Sequence, residues 1–169
     1  MPPSTDRLRR LHDEAFLWAL SRCGGHRADA EDVLQEVYLK VLEGDAGYDH
    51  ESSFKTWLFS VIKHTAADTR RHTRRERPLR PDDLEQSIPP DASPLNQNLN
   101  QKETTRILRR LLGRLSERQE EALRLVFYHD LTIEAASEVM DVALGTARTH
   151  YERGKQRLRD MLSNSKINL

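Results

Sequence analysis

Residues 54–75 read FKTWLFSVIKHTAADTRRHTRR and join an apolar stretch to an arginine-dense one with no helix breaker between them. At the period of an α-helix, the apolar residues share one face: Phe54, Trp57, Leu58, Val61 and Ile62. Basic residues follow another face: Lys63, Arg70, Arg71 and Arg74. The pattern predicts one continuous helix that is anchored in a core at its first half and presents cations at its second. Such a helix is typical of proteins that bind a polyanion, and nucleic acid is the first partner to consider.

The overall composition hides this basic segment. The 169-residue chain contains 27 Lys or Arg and 27 Asp or Glu, so its formal net charge is zero. Residues 63–80 contain seven basic and two acidic residues, whereas residues 81–101 contain four acidic residues and no basic one. A strongly basic segment is therefore followed directly by an acidic one.

Residues 77–101 are predicted to form an extended linker. Five of the seven prolines lie in this segment, which ends in a run of Asn and Gln. Such a composition can neither continue a helix nor build a core. No stretch elsewhere shows the period-2 alternation of a strand. We therefore predict an all-α protein of two small helical domains, residues 1–76 and 102–163, with a tail over residues 164–169.

The first domain is predicted to contain two or three helices. One ends near Gly24-Gly25, which suit a helix C-terminus, and another runs over about residues 28–42. The second of these carries an acidic face: Asp29, Glu31, Asp32, Gln35 and Glu36. By spacing alone, such a face is more often an ordinary solvated surface than a binding site. A loop over residues 44–53 leads into the basic helix.

The second domain is predicted to contain three or four helices. Ser116 and Gln119 form a capping-box pattern that starts one of them. A short helix, a turn at Asp141-Val142 and a longer helix from about Gly145 then give the outline of a helix-turn-helix. The outer side of the last helix carries residues that can reach bases and phosphates: Thr146, Arg148, Thr149, Glu152, Arg153 and Gln156. A polar outer side also occurs on helices that bind nothing, but the adjoining turn favours DNA.

The sequence contains no pattern of catalytic residues. None of the seven histidines fits a His-Glu-x-x-His or zinc-ligand pattern, and Cys23 with His26 makes a poor metal site. One cysteine excludes an internal disulfide and is typical of a reducing compartment. No secretory signal or long apolar run is present. We expect a soluble, cytoplasmic binding protein that needs no cofactor, metal or small-molecule substrate and does not insert into a membrane.

Motifs in both halves resemble one family, the extracytoplasmic-function (ECF, group IV) sigma factors of the bacterial housekeeping-type sigma family. Residues 29–38, DAEDVLQEVY, are similar to the region 2 helix that docks on the polymerase clamp. Residues 54–71 resemble the helix used for the minus-ten element. The runs LSERQ at 115–119 and GTARTHYERG at 145–154 resemble region 4, whose second helix reads the minus-thirty-five element.

The resemblance implies an initiation factor that brings bacterial RNA polymerase core to promoter DNA. The acidic helix would dock on the largest-subunit clamp and region 4 on the flap, and an anti-sigma factor would cover these surfaces. The basic helix would hold the minus-ten element through Lys63, His64, Arg70, Arg71, Arg74 and Arg75. The outer residues of the last helix would read the minus-thirty-five element. The 44–53 loop would hold a flipped base in a backbone pocket or on Tyr48.

Three positions depart from the family pattern. His64 stands where the family usually has Asn, Ser137 where it has Ala, and Asp141 where the turn has Gly. Aspartate tolerates the left-handed backbone better than most residues, so we expect the turn to form. These departures bear on promoter sequence rather than on class.

Two other functions are compatible with parts of the sequence. One is a helix-turn-helix regulator that binds DNA without polymerase. The other is a sigma mimic that sequesters an anti-sigma factor, although a mimic has no need of Arg148, Arg153 and the arginine run from Arg70 to Arg75. Trp57 is expected to be a core residue more often than a base-stacking platform.

Overall fold

The computed structural model describes residues 5–76 and 99–164, with side chains described over 5–73 and 106–164. These ranges form seven α-helices and a π-helical turn: α1 (Thr5–Arg22), α2 (Arg27–Glu43), α3 (Phe54–Glu76), α4 (Leu99–Leu112), α5 (Glu117–Leu123), the π turn (Arg124–Tyr128), α6 (Ile133–Met140) and α7 (Leu144–Asn164). No described residue lies in a strand, so the all-α class is confirmed. Most of the predicted linker lies outside the described residues, and its last three residues belong to α4.

Helices α1, α2 and α3 pack against one another as a three-helix bundle. Trp18 of α1 is fully buried at its centre and stacks on Phe59 of α3, with 5.6 Å between ring centroids. The indole N–H of Trp18 also donates to the Phe59 carbonyl oxygen at 2.9 Å. The buried indole therefore has a polar partner, as a tryptophan inside a core requires.

Helix α3 is continuous from Phe54 to Glu76, as the sequence predicted. Its buried arc differs in detail from the predicted apolar stripe. Trp57 and Val61 are half-buried, whereas Phe59, outside the predicted stripe, is fully buried. The arc is wider than one stripe because α3 packs against both α1 and α2.

Helices α5, α6 and α7 form the second bundle, and α4 packs against α7. Ser116 accepts a hydrogen bond from the Gln119 backbone at 3.4 Å, which confirms the predicted start of α5. Asp141 ends α6 in the left-handed conformation, with φ 55° and ψ 50°, so the turn forms without glycine. The predicted helix-turn-helix is therefore present as α6, this turn and α7.

The π turn changes which side chains of its segment are buried. Val126 and Phe127 continue the helical spacing of the apolar residues Ala122 and Leu123, but Val126 is half-buried and Phe127 is 62% exposed. Leu125 and His129 are buried instead. A π turn takes up an extra residue, and each residue rotates the following side chains by about 100°. Phe127 consequently lies on the surface, 5.7 Å from the ring of Tyr151.

Small and polar residues fill close contacts in the second bundle. Gly154 of α7 is buried where a Cβ would lie 3.1 Å from Leu123 and 3.3 Å from the carbonyl oxygen of Gln119. Ser137, at a position where alanine is usual in the motif, is buried and donates its hydroxyl to the Glu134 carbonyl at 2.6 Å. The hydroxyl is therefore satisfied within its own helix.

Candidate protein and nucleic-acid interfaces

The acidic face of α2 is formed by Asp29, Glu31, Asp32, Gln35 and Glu36. All are exposed except Asp29, which is half-buried. Glu31 pairs with Arg27 at 2.9 Å and Glu36 with Lys40 at 2.6 Å, both at a spacing of four residues. Exposed pairs of this kind contribute only about 0.3–0.5 kcal/mol, so a partner can displace them readily.

Asp32 keeps an uncompensated charge at the centre of the acidic face, since it makes no ion pair with any described residue. The sequence pattern missed the two pairs because Arg27 and Lys40 lie just outside the acidic run. Beside this face, Leu39 and Leu42 are 52% and 48% exposed. Exposed leucines next to acidic groups offer a partner apolar contact as well as charge.

The predicted minus-ten residues on α3 differ in how available they are. His64 is exposed with its Nδ1 2.7 Å from the Ser60 carbonyl oxygen, and Lys63 is half-buried. Arg71 is exposed and lies 3.6 Å from Asp68. Arg74 and Arg75 extend the backbone of α3, but their side chains lie outside the described residues.

Arg70 has a structural contact that the sequence did not indicate. Its guanidinium donates to the carbonyl oxygen of Arg22 at the C-terminal end of α1. A cation at a helix C-terminus stabilises the exposed carbonyls there. Arg22 is itself buried, and its guanidinium lies 4.6 Å from the Trp18 ring centroid. Arg70 therefore fastens α3 to α1, and a DNA phosphate would have to share its guanidinium with this contact.

The 44–53 loop is held against the start of α3. The Tyr48 hydroxyl donates to the Ser52 carbonyl at 2.7 Å, and the Trp57 indole donates to the Gly47 carbonyl at 3.1 Å. The Tyr48 ring lies 5.0 Å from Trp57 and 4.2 Å from His50. A base stacked on Tyr48 would therefore have to enter an existing aromatic cluster, whereas a backbone pocket would need no such rearrangement.

The outer side of α7 presents the six residues predicted for the minus-thirty-five element, and all six are exposed. Arg148 is paired with Glu134 of α6 at 3.2 Å. Glu152 is paired with Lys155 at 3.3 Å, and Gln156 donates to Asp160 at 2.9 Å. Sequence reasoning missed Glu134, because its approach to Arg148 depends on how α6 packs on α7.

A buried acid holds the arginine that contacts the turn of the helix-turn-helix. Glu121 of α5 is 1% exposed and lies 3.2 Å from Arg118. The same guanidinium donates to the Met140 carbonyl at the end of α6, at 3.0 Å. Arg118 thus links α5 to the C-terminal end of α6, where a cation is favourable.

The described residues contain no group of three or more His, Cys, Asp or Glu that could hold a metal ion. Burial, reinforced by the charge of Asp29, raises the pKa of Cys23 to about 11. The thiolate that a metal requires is therefore disfavoured. None of the described helices is both long and apolar enough to cross a bilayer.

Comparison with known proteins matches each bundle to a family model. Residues 8–76 match Sigma-70 region 2, and residues 105–158 match Sigma-70, region 4. The RpoE–NepR structure from Bartonella quintana, a sigma factor with its anti-sigma factor, shares the fold at a TM-score of 0.69. It is 21% identical, and the match covers 94% of this chain and 95% of that one.

Two relatives match over nearly the whole chain. The ECF RNA polymerase sigma factor ShbA of Streptomyces griseus is 30% identical, covering 91% of this chain and 84% of that protein. SigE of Mycolicibacterium smegmatis, also an ECF RNA polymerase sigma factor, is 29% identical over 95% of this chain. The match spans 62% of the length of SigE, which is less than two thirds. With both regions matched in the family's order, the chain belongs to the extracytoplasmic-function family of RNA polymerase sigma factors.

Proposed function

We propose that this chain directs bacterial RNA polymerase core to specific promoters and starts transcription there, and that an anti-sigma factor holds it inactive until it is needed. The observation that carries the proposal is the placement of opposite charges. An exposed acidic face lies on α2, and exposed basic and polar residues lie on α3 and α7. Acidic groups suit a basic protein surface and repel DNA, so the two kinds of face need different partners.

The acidic face of α2 docks on the clamp of the largest polymerase subunit. Asp32 supplies the uncompensated charge, and Leu39 supplies exposed apolar area next to it. Glu31 and Glu36 exchange their weak internal pairs for partner cations on binding. The second unit contacts the polymerase flap, so that each unit is positioned over its own promoter element.

Promoter DNA is held by both units. The outer residues of α7 read the minus-thirty-five element, and the basic half of α3 holds the minus-ten element through phosphate contacts. A non-template base leaves the stack and is held by the 44–53 loop, which is already ordered by the hydrogen bonds that Tyr48 donates to Ser52 and Trp57 donates to Gly47. This capture offsets an unstacking free energy of a few kcal/mol. Because two weak sites on one chain reinforce each other, isolated units bind promoter DNA poorly.

The anti-sigma factor binds the polymerase-docking surfaces and so excludes polymerase from them. Support comes from the Bartonella quintana sigma factor, which shares the fold and was solved in complex with its anti-sigma factor NepR. The chain itself performs no chemical step, since nucleotide addition belongs to the polymerase. It acts in the cytoplasm, where transcription takes place.

Run-off transcription with purified core polymerase tests the proposal. The template carries the promoter of the chain's own gene, and we expect start-site-specific RNA only when the chain is added. The double variant Asp32→Lys, Glu36→Lys should lose at least about a hundredfold in polymerase affinity while its helical circular dichroism stays unchanged. Undiminished polymerase binding by this variant would refute the docking role of the acidic face.

An electrophoretic shift with and without core polymerase separates the other two functions. A stand-alone regulator binds its operator tightly without polymerase and usually requires a palindrome. A sigma mimic binds the anti-sigma factor and shifts no DNA in either case. A sigma factor shifts promoter DNA only when polymerase is present.

A further inference from the structure

A groove between α1 and α2 borders the acidic face. Its volume is about 420 Å³, and its lining includes Phe16, Leu34 and Tyr38 as apolar surface. Glu31 and Gln35 line it too. These two residues also belong to the acidic face, so the groove and the face form one continuous surface.

The groove combines an aromatic wall with acidic groups. Asp13 of α1 lies on one side and Glu31 of α2 on the other. Burial raises the pKa of Tyr38 to about 12, and the charge of Asp13 adds to the shift. Asp13 therefore acts electrostatically on the interior of the groove. Aromatic faces flanked by carboxylates suit a guanidinium, which stacks on rings and forms charge-assisted hydrogen bonds with acids.

Arg27 of this chain already makes both kinds of contact, with an aromatic ring and with a carboxylate. Its guanidinium lies 5.3 Å from the Phe16 ring centroid, and its Nε donates to Glu31 at 2.9 Å. The side chain is nevertheless 72% exposed. An ion pair with this exposure contributes little free energy, so a second cation can replace Arg27.

We infer that the groove receives one arginine side chain from the basic surface of the polymerase clamp that docks on the acidic face, and that Arg27 fills the same contacts until that arginine arrives. The inference rests on the proposed function and extends the docking surface from α2 onto α1. Its support is charge complementarity and continuity with the acidic face. Arginines seated in pockets are frequent hot spots of protein interfaces.

Equilibrium binding of the labelled full-length chain to purified core polymerase, without DNA, tests this. Asp13→Lys should weaken binding at least tenfold, because it places a cation where the partner's arginine must enter. Asp6→Lys is the control. Asp6 is also an exposed residue of α1, nearly two turns earlier and outside the groove, so the affinity of this variant for polymerase should stay within twofold of that of the original chain. Thermal unfolding of each variant checks that it is folded.

Arg27→Gln gives a test of opposite sign. It removes the competing guanidinium and should strengthen binding two- to fivefold. The exposed Arg10 is the matched control, since Arg10→Gln makes the same charge change on α1 outside the groove. If Arg10→Gln strengthens binding equally, the effect is one of net charge and the assignment of Arg27 is wrong.

The outcomes separate this inference from the proposed function. If the unmodified chain does not bind core polymerase, the proposed function fails, and this inference fails with it. If it binds, and Asp32→Lys with Glu36→Lys abolishes binding while Asp13→Lys matches Asp6→Lys, the groove alone is refuted. A loss with Asp13→Lys together with a gain specific to Arg27→Gln supports the groove.

Discussion

The acidic face of the α1–α3 unit is separate from the core of that unit, whereas the outer side of α7 in the α4–α7 unit is tied to the neighbouring helix α6. In the first unit, the Trp18–Phe59 stack fills the centre and the acidic face lies on the exposed side of α2. In the second, Arg148 on the outer side of α7 pairs with Glu134 of α6, and Arg118 joins the buried acid Glu121 to the end of α6. The difference teaches that the acidic face of α2 can be changed independently of folding, whereas Arg70 on α3 and Arg148 on α7 share contacts with the helices that orient them.

The largest effect is expected from Trp18→Ala. It removes the central stack and the hydrogen bond to the Phe59 carbonyl, and should lower the free energy of unfolding of the first unit by about 3–5 kcal/mol. Chemical denaturation followed by circular dichroism measures this. Trp57→Phe is the control, because Trp57 is only half-buried. If both variants lose the same stability, the core is not centred on Trp18.

The second largest effect tests whether the α4–α7 unit depends on its buried acid. Glu121→Ala removes the carboxylate that holds Arg118 and should lower the free energy of unfolding by about 1–3 kcal/mol. Promoter-specific transcription should fall as well, although Glu121 is not on the outer side of α7. Glu138→Ala is the control, because it changes an exposed acid of α6, and its free energy of unfolding should stay within about 0.5 kcal/mol of that of the original chain. A loss of stability without any loss of transcription would contradict the link between this core and the helix-turn-helix.

Arg153→Ala tests whether the exposed outer side of α7 contacts DNA phosphate. Losing one phosphate contact should reduce the promoter affinity of the polymerase complex about tenfold, or roughly 1.4 kcal/mol. It should also reduce the slope of log affinity against log salt concentration by about one. Filter binding at several salt concentrations measures both quantities. Arg159→Ala, an exposed arginine nearer the end of α7, is the control. An unchanged salt slope would show that Arg153 does not contact phosphate.

The smallest effect is expected at the turn of the helix-turn-helix. Asp141 has a positive φ of 55°, so Asp141→Gly should raise the free energy of unfolding by up to about 1 kcal/mol. Asp141→Ala should lower it, since alanine tolerates this conformation less well than aspartate. Thermal unfolding measures both variants. Equal free energies of unfolding for the glycine and alanine variants would show that the backbone at this turn carries no strain.

Local patterns predicted much of this fold. The continuity of α3, the Ser116 cap and the turn at Asp141 each depend on residues close in sequence, and all three are confirmed. The π turn was missed because nothing in the apolar period marks where a helix takes up an extra residue. Phe127 has the helical spacing of a core residue for this reason, yet it lies on the surface.

The candidate interfaces were predictable as faces but not as sets of contacts. The sequence identified the acidic face and the outer side of α7 because helical spacing decides which residues share a side. It could not show that Arg70 is bound to the Arg22 carbonyl, or that Glu134 pairs with Arg148, since these contacts join different helices. The roles of the individual residues in binding polymerase and DNA stay predictions.

The missing side chain at Gly154 has a consequence for how this protein can evolve. Because α5 fits directly against this glycine, a larger residue at position 154 would displace Leu123 or the backbone of α5. The residues predicted to read DNA on the outward side of α7 are all exposed, and the contact of Arg148 with Glu134 is an exposed ion pair, so substitutions there meet no such restriction. Mutations accepted over generations are therefore expected to accumulate on that side, and under the proposed function they would give descendants of this gene new promoter preferences on an unaltered scaffold.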